Sequence, residues 1–221
     1  MQTQADAAGE IDWNVSVDST IARVHQHGAT AARSQLTVTA HTGALSNDKG
    51  SGSSGDEPDD HAIGRSRGGL TTKTHALVDG RGLPLVLVLT TGNAGDSPAL
   101  PVLLSQLRIP RPGCGRPRTT PDALLADKAY SAKAHRDALR ARGVKVVIPE
   151  KTDQQANRKN RGSQGGRPVT FDAEAYKGRN VVERAFNKLK DWRGLATRYD
   201  THALIYRGGM VLASIVLWLK A

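Results

Sequence analysis

The chain has 221 residues, 38% of them hydrophobic, which suits one domain with a lean core. Lys and Arg outnumber Asp and Glu by 31 to 21, and the net charge of +10 points to a polyanionic partner such as nucleic acid, although a basic balance also aids solubility. Aromatics at 4% argue against a broad stacking surface for single strands, and one cysteine, Cys114, excludes a disulfide framework or a Cys-based zinc site and fits a reducing, cytoplasmic setting.

The opening MQTQADAAGEIDW lacks the basic start and apolar run of a signal peptide. Residues 11–24, IDWNVSVDSTIARV, alternate as a strand does. Residues 43–69 are rich in Gly, Ser and Asp and read as a flexible loop; the stretch 46–60 is acidic and carries no evident chemistry. TKTHALVD and LPLVLVLTT, joined by Asp79-Gly80-Arg81-Gly82, form a hairpin signal with Asp79 as a turn residue. A helix then opens at Ser97 with Pro98 at its first position, and Asp96 is read as its cap rather than as a further site acid.

A loop rich in Pro, Gly and Arg covers 108–121, and DALLADKAY follows as a short buried strand. SAKAHRDALRARG is a helix capped by Ser131 and ended by Gly143, and VKVVIPE is another strand. Residues 151–170 hold five basic residues and one acid and read as a polar loop. A long helix is expected from about Asp172 to Arg198, and a last, buried one over about 202–219. Its ten-residue apolar run MVLASIVLWL is too short to span a bilayer. Strands alternating with helices beside a hairpin predict an α/β fold with a mixed sheet and helices on its faces.

Two aspartates interrupt apolar strands: Asp18 in VSVDST and Asp127 in LLADKAY. A buried carboxylate there costs desolvation unless it caps a turn, pairs with a cation or binds a metal. On the long helix, Tyr176, Arg179, Glu183 and Lys190 fall within about 60° of one another at 100° per residue, about 130° from the apolar face. Such a stripe is either an ordinary solvated face with ion pairs or the wall of a site. Together the three acids suit metal-assisted phosphoryl transfer. Mg²⁺ takes oxygen ligands, and a pair of ions holds the attacking and leaving oxygens of an in-line displacement. His25 and His27 in VHQHG have no further His or Cys at zinc-like spacing, so they are read either as lining the site or as surface residues. Arg108, Arg111, Arg116 and Arg118, and the segment from Lys151 to Arg167, are candidate phosphate contacts or merely solvated.

VDSTIARVHQHG, GRSRGGLTTKTHALVDGRGLPL with TTGNAGDSPAL, LLADKAYSA, and the spacing of Tyr176, Arg179, Glu183 and Lys190 carry a resemblance over nearly the whole chain. The chain resembles the DDE transposases of bacterial insertion sequences, in the group called the IS-five family, with an IS-four-like DDE domain. The resemblance implies a ribonuclease H-like fold, a single catalytic domain over 1–221, and Asp18, Asp127 and Glu183 as catalytic and metal-binding residues. It implies Tyr176, Arg179 and Lys190 on DNA phosphate, two Mg²⁺ ions that Mn²⁺ replaces, and double-stranded DNA as partner in a homo-oligomeric complex at the nucleoid, with no membrane association. Relatives usually carry a helical domain before the first Asp, whereas here Asp18 follows only seventeen residues, so an upstream split-frame product or a truncation is expected. The alternatives are a non-catalytic DNA-binding remnant and a ribonuclease H-like nuclease without strand transfer.

Overall fold

The computed structural model describes residues 1–30 and 57–221. The acidic stretch 46–60 and the expected loop 43–69 therefore lie outside the described residues as far as 56. In chain order the elements are α1 (Gln2–Ala7), β1 (Asn14–Val24), β2 (Gly64–Ser66), β3 (Gly69–Val78), β4 (Pro84–Thr91), α2 (Ala99–Gln106), β5 (Ala123–Ala126), α3 (Lys133–Ala141) and β6 (Lys145–Val147). There follow α4 (Thr152–Asn160), α5 (Ala173–Lys177), α6 (Asn180–Lys190), α7 (Arg193–Ala196), β7 (Thr197–Arg198) and α8 (Ala203–Leu219).

The mixed sheet centres on β1, which pairs antiparallel with β3 on one side and parallel with β5 on the other. β4 extends the β3 side, and β6 continues parallel beyond β5. This is the ribonuclease H-like arrangement expected of the chain. The β3–β4 hairpin turns as read: Asp79 Oδ1 accepts from the Leu83 amide at 2.7 Å and from that of Arg81 at 3.1 Å. Gly82 closes the turn at φ +87°, a conformation that suits glycine.

Side chains alternate across β1, so the two faces bury different clusters. Val15 and Val17 pack with Leu77, Leu124 and Ala126, the α2 leucines Leu100 and Leu103, and Leu139 of α3. The opposite face sets Ala22, Ala76 and Val78 against Val182, Ala185, Phe186 and Leu189 of α6 and Tyr206 and Met210 of α8. Arg198 is fully buried at the edge of this layer, donating to Thr72 Oγ1 at 2.6 Å and to the carbonyls of Asp200 and Thr201.

Several expectations need correction. The polar segment 151–170 contains α4, which buries no residue, so no apolar stripe betrayed it. The expected loop to 69 includes β2, which pairs with the start of β3. The long helix 172–198 is three helices and a strand: Trp192 is extended and ends the helical run, and 178–179 is a tightened turn. α8 is buried on one side only, because Leu204, Ile205, Val211, Leu212 and Leu219 are exposed. No helix among the described residues is long and apolar enough to cross a membrane. Ser97 and Ser131 do not cap. Pro98 and Ala132 occupy the N-cap positions without side-chain bonds, Ser97 Oγ meets His135 Nε2 at 2.8 Å, and Ser131 ends a 3₁₀ turn.

His75 on β3 is wholly buried, with Nε2 2.8 Å from Thr90 Oγ1. Burial lowers its pKa from 6.5 to about 4, against the opposing pull of Asp96. Between those values the unfolded chain binds a proton that the folded chain refuses. Stability is therefore unaffected above pH 6.5 and falls as the pH drops through the window, by up to about 3 kcal/mol from this group at about 1.36 kcal/mol per pH unit. His75→Gln is expected to flatten that part of the stability–pH curve in denaturant unfolding; an unchanged slope contradicts a buried, neutral imidazole.

Candidate active site

β5 stops pairing with β1 at Val17↔Ala126, and β7 resumes at Arg23↔Thr197. Among the described residues, Asp18–Ala22 of β1 thus has no strand neighbour on that side. Side chains partly fill the gap. Asp18 Oδ1 accepts from the Ser19 amide at 2.8 Å, and Lys190 Nζ donates to the Ile21 carbonyl at 3.0 Å.

Parallel neighbours in register point the same way. Ser16 pairs with Leu125 and Val17 with Ala126, so continuing the ladder by one residue sets Asp18 beside Asp127 on one face. Asp127 keeps an extended backbone, and its carboxylate takes the Ala129 amide at 2.7 Å, turning the chain into a 3₁₀ turn. The third acid comes from α6, whose apolar side packs on this face. Arg179 joins the acids, donating through Nη1 to Asp18 Oδ2 and through Nη2 to Glu183 Oε1, each at 2.8 Å.

The helical stripe is kept because 178–179 retains helical dihedrals. The junction is tightened, however. The amides of Gly178, Arg179, Val181 and Val182 each reach back three residues rather than four. Arg179 and Glu183 therefore still face the same way. Tyr176 lies beside the small cluster of Ala123, Leu125 and Val147 and meets Phe171 edge-on at 5.2 Å.

Burial raises the Asp18 pKa above 3.8; the Ser19 amide and Arg179 oppose the rise, and repulsion from Asp127 and Glu183 adds to it. Burial works against the Arg179 charge, but Asp18, Tyr176 and Glu183 outweigh it and raise its pKa. Lys190 is lowered by burial. Tyr130 sits wholly buried behind the acids with no hydrogen-bond partner for its hydroxyl among the described residues, and its pKa is raised by burial and then by Asp96, Asp18 and Asp127. Asp96 was missed as a neighbour of this region. It does not cap α2 with its side chain but takes Ser19 Oγ at 2.7 Å and pairs with Lys73 Nζ at 3.0 Å. The adjacent Ser19 and His75 are register partners, which only the strand pairing reveals.

Other candidates lie apart. His25 follows the end of β1, roughly 23 Å of extended chain beyond Asp18 at ~3.3 Å per residue, and His27 lies in the 3₁₀ turn after it. Their ring centroids lie 4.8 Å apart at a tilt of 37°, and the His25 ring meets that of Tyr199 at 4.7 Å with a tilt of 34°. The segment 108–121 leads into β5 and so sits at the end of that strand opposite Asp127. Arg118 there is committed to structure, 4.0 Å over the Trp13 ring and 2.7 Å from Asp122. The segment after β6, by contrast, leaves the sheet at the same end as Asp127, because β5 and β6 are parallel. Gln154 of α4 ties it to the Ser131 carbonyl, and Lys159, Arg161 and Arg167 are exposed.

The family described as "Transposase DDE domain" matches residues 12–218. A protein of Brucella ovis, named as a transposase for insertion sequence element IS6501, is 36% identical over 151 residues, covering 68% of this chain and 100% of the relative. A Burkholderia cepacia protein, named as a transposase for insertion sequence element IS402, is 31% identical over 148 residues, covering 66% of this chain and 63% of the relative. No solved structure matches the chain.

A raised Asp18 pKa means that the folded, metal-free protein resists ionising this carboxyl. Its contribution to stability is lost as the pH rises above the unfolded value of 3.8. Asp18→Asn is therefore expected to raise the thermal midpoint in chelator at neutral pH, with the gain shrinking toward acid pH. A lower midpoint at pH 7 would show that the Arg179 pair outweighs burial.

Proposed function

The chain belongs to the transposase DDE-domain family, and on that premise we propose that Asp18, Asp127 and Glu183 are the catalytic triad of an insertion-sequence transposase. The observation that carries the reading is the gathering of three carboxylates, with Arg179 between two of them, where the β1 edge has no strand neighbour among the described residues. The reaction is hydrolysis of a DNA phosphodiester at the element end, followed by attack of the freed 3′-hydroxyl on target DNA.

The site suits hard divalent cations. Its donors are carboxylate oxygens, and repulsion from Asp127 and Glu183 adds to the rise that burial imposes on the Asp18 pKa. Two Mg²⁺ ions, or Mn²⁺ in their place, would supply charge stabilisation for the attacking and leaving oxygens. Asp18, Asp127 and Glu183 would hold them. Arg179 neutralises two of these acids and lies where a phosphate beside them needs a cation. Lys190, half-buried on the free edge of β1, adds a second, and Tyr176 buttresses Arg179.

The exposed cations at 151–167 extend this end of the sheet as a phosphate-binding surface for double-stranded DNA. Acting on element ends and a target, the protein would work at the nucleoid in a homo-oligomeric complex.

Asp127→Asn keeps shape but removes a charge, and is expected to cut DNA cleavage by more than the ~10–100-fold lost when a group merely supporting a metal ligand is removed. DNA binding in chelator should hold. Cleavage at the parent rate overturns the triad. Joining of ends, nicking alone, or binding alone in Mg²⁺ separates a transposase from a nuclease and from a binding remnant.

Neutralising Lys159, Arg161 and Arg167 together is expected to reduce the salt dependence of DNA binding, the log–log slope falling by up to about 2.7 at ~0.9 per phosphate contact. An unchanged slope in a fluorescence titration places the DNA elsewhere.

A further inference from the structure

At the sheet edge formed by β4, away from the carboxylate site, Glu57, His61 and His202 bring three ligand atoms within 4.8 Å of one another. The carboxylate is fixed. Glu57 Oε1 accepts from the Ala203 amide at 2.6 Å, and Oε2 accepts from that of Leu204 at 2.8 Å. Both bonds come from the first turn of α8. His61 Nδ1 lies 2.6 Å from Glu57 Oε1, so a single proton bridges them. His202 Nδ1 lies 3.8 Å from the same oxygen, too long for a hydrogen bond but within reach of an ion held between them.

The turn that presents His61 is unusual. His61 and Ala62 both adopt left-handed backbone, at φ 51° and 52°. Neither is glycine, so the turn holds a costly conformation that swings the His61 ring onto Glu57. The two imidazoles then meet edge-on, 5.0 Å apart.

We infer that Glu57, His61 and His202 bind a divalent transition metal, with Zn²⁺ the best fit. Two imidazole nitrogens and a carboxylate oxygen are a zinc ligand set. Bonds of about 2.0–2.1 Å at tetrahedral angles need ligand atoms about 3.4 Å apart. The observed separations bracket that value, so the ion requires small ring movements only. It takes the place of the proton between His61 and Glu57, and that proton leaves to solvent. The α8 amides hold the Glu57 carboxylate in place, as outer partners do in metal sites. The His202 side chain is 54% exposed, which leaves the fourth position open to water. The bound ion clamps the turn before β2 to the start of α8 and contributes no group to DNA chemistry.

The test is calorimetric titration of the full chain with Zn²⁺ in excess Mg²⁺, with thermal melts in parallel. One equivalent is expected to bind, to release protons and to raise the melting temperature. His61→Asn and His202→Asn suit their backbone positions, since Asn tolerates left-handed φ and favours helix N-caps. Each is expected to abolish the saturable binding and the thermal shift while leaving the zinc-free melt near the parent. Asp18→Asn and His25→Asn are expected to leave both intact. No saturable binding, binding that survives the His61 and His202 substitutions, or binding lost in His25→Asn overturns the proposal.

Discussion

Like charges repel, yet this fold sets Asp18 beside Asp127 on adjacent parallel strands and brings Glu183 over them from a helix. Burial raises the Asp18 pKa and the two neighbouring acids add to the rise, against the Ser19 amide and Arg179. The arrangement persists because the strands are pinned by what lies on their other face. Val15, Val17, Leu124 and Ala126 are almost wholly buried against α2 and α3. Shifting the register by one residue to separate the acids would turn these side chains outward. At roughly 25 cal/mol per Å² of apolar surface, that loss exceeds the relief of one carboxylate pair.

Arg179 makes the remaining repulsion tolerable. Its position depends on the tight junction between α5 and α6, which keeps helical dihedrals but shortens the hydrogen bonds to three residues. A true break would rotate Arg179 away from Glu183. An uninterrupted helix places the stripe correctly in angle, which is why counting at 100° per residue found it. The end of β5 completes the design. With Asp127 spending one oxygen on the Ala129 amide, the chain leaves the sheet and opens the β1 edge between Val17 and Arg23.

Much of this was legible in the sequence, for a reason that also marks where legibility ended. Asp18 and Asp127 stand out because apolar runs surround them, and burial makes a charge there conspicuous. The hairpin followed from Asp79 and the glycines. By contrast, α4 has no buried face, and β2 and β7 are too short to show a period. Ser97, Ser131 and Asp96 look like caps in one dimension. In three dimensions Ser97 meets His135 and Asp96 meets Ser19 and Lys73, partners set by sheet pairing rather than by spacing. Glu57 and His202 are 145 residues apart by number, 202 less 57, so no spacing rule could join them.

The layout of charge also follows from strand direction. β1, β5 and β6 run parallel, so segments leaving their carboxyl ends gather on one side and segments entering gather on the other. Ligands of open α/β sheets sit outside those carboxyl ends, where neighbouring chains part. Asp127 obeys that rule at the end of β5, Asp18 lies level with it on the longer β1, and the cations at 151–167 leave β6 at the same end. Arg108 to Arg118 enter β5 from the opposite end, and the one among them most buried is spent on Trp13, Asp6 and Asp122. A net charge of +10 is therefore not spread evenly in its consequences. In the proposed site, cations near the acids would face the same phosphate as the carboxylates, while those at the far end would add only long-range attraction, which falls off over about 10 Å in ordinary salt.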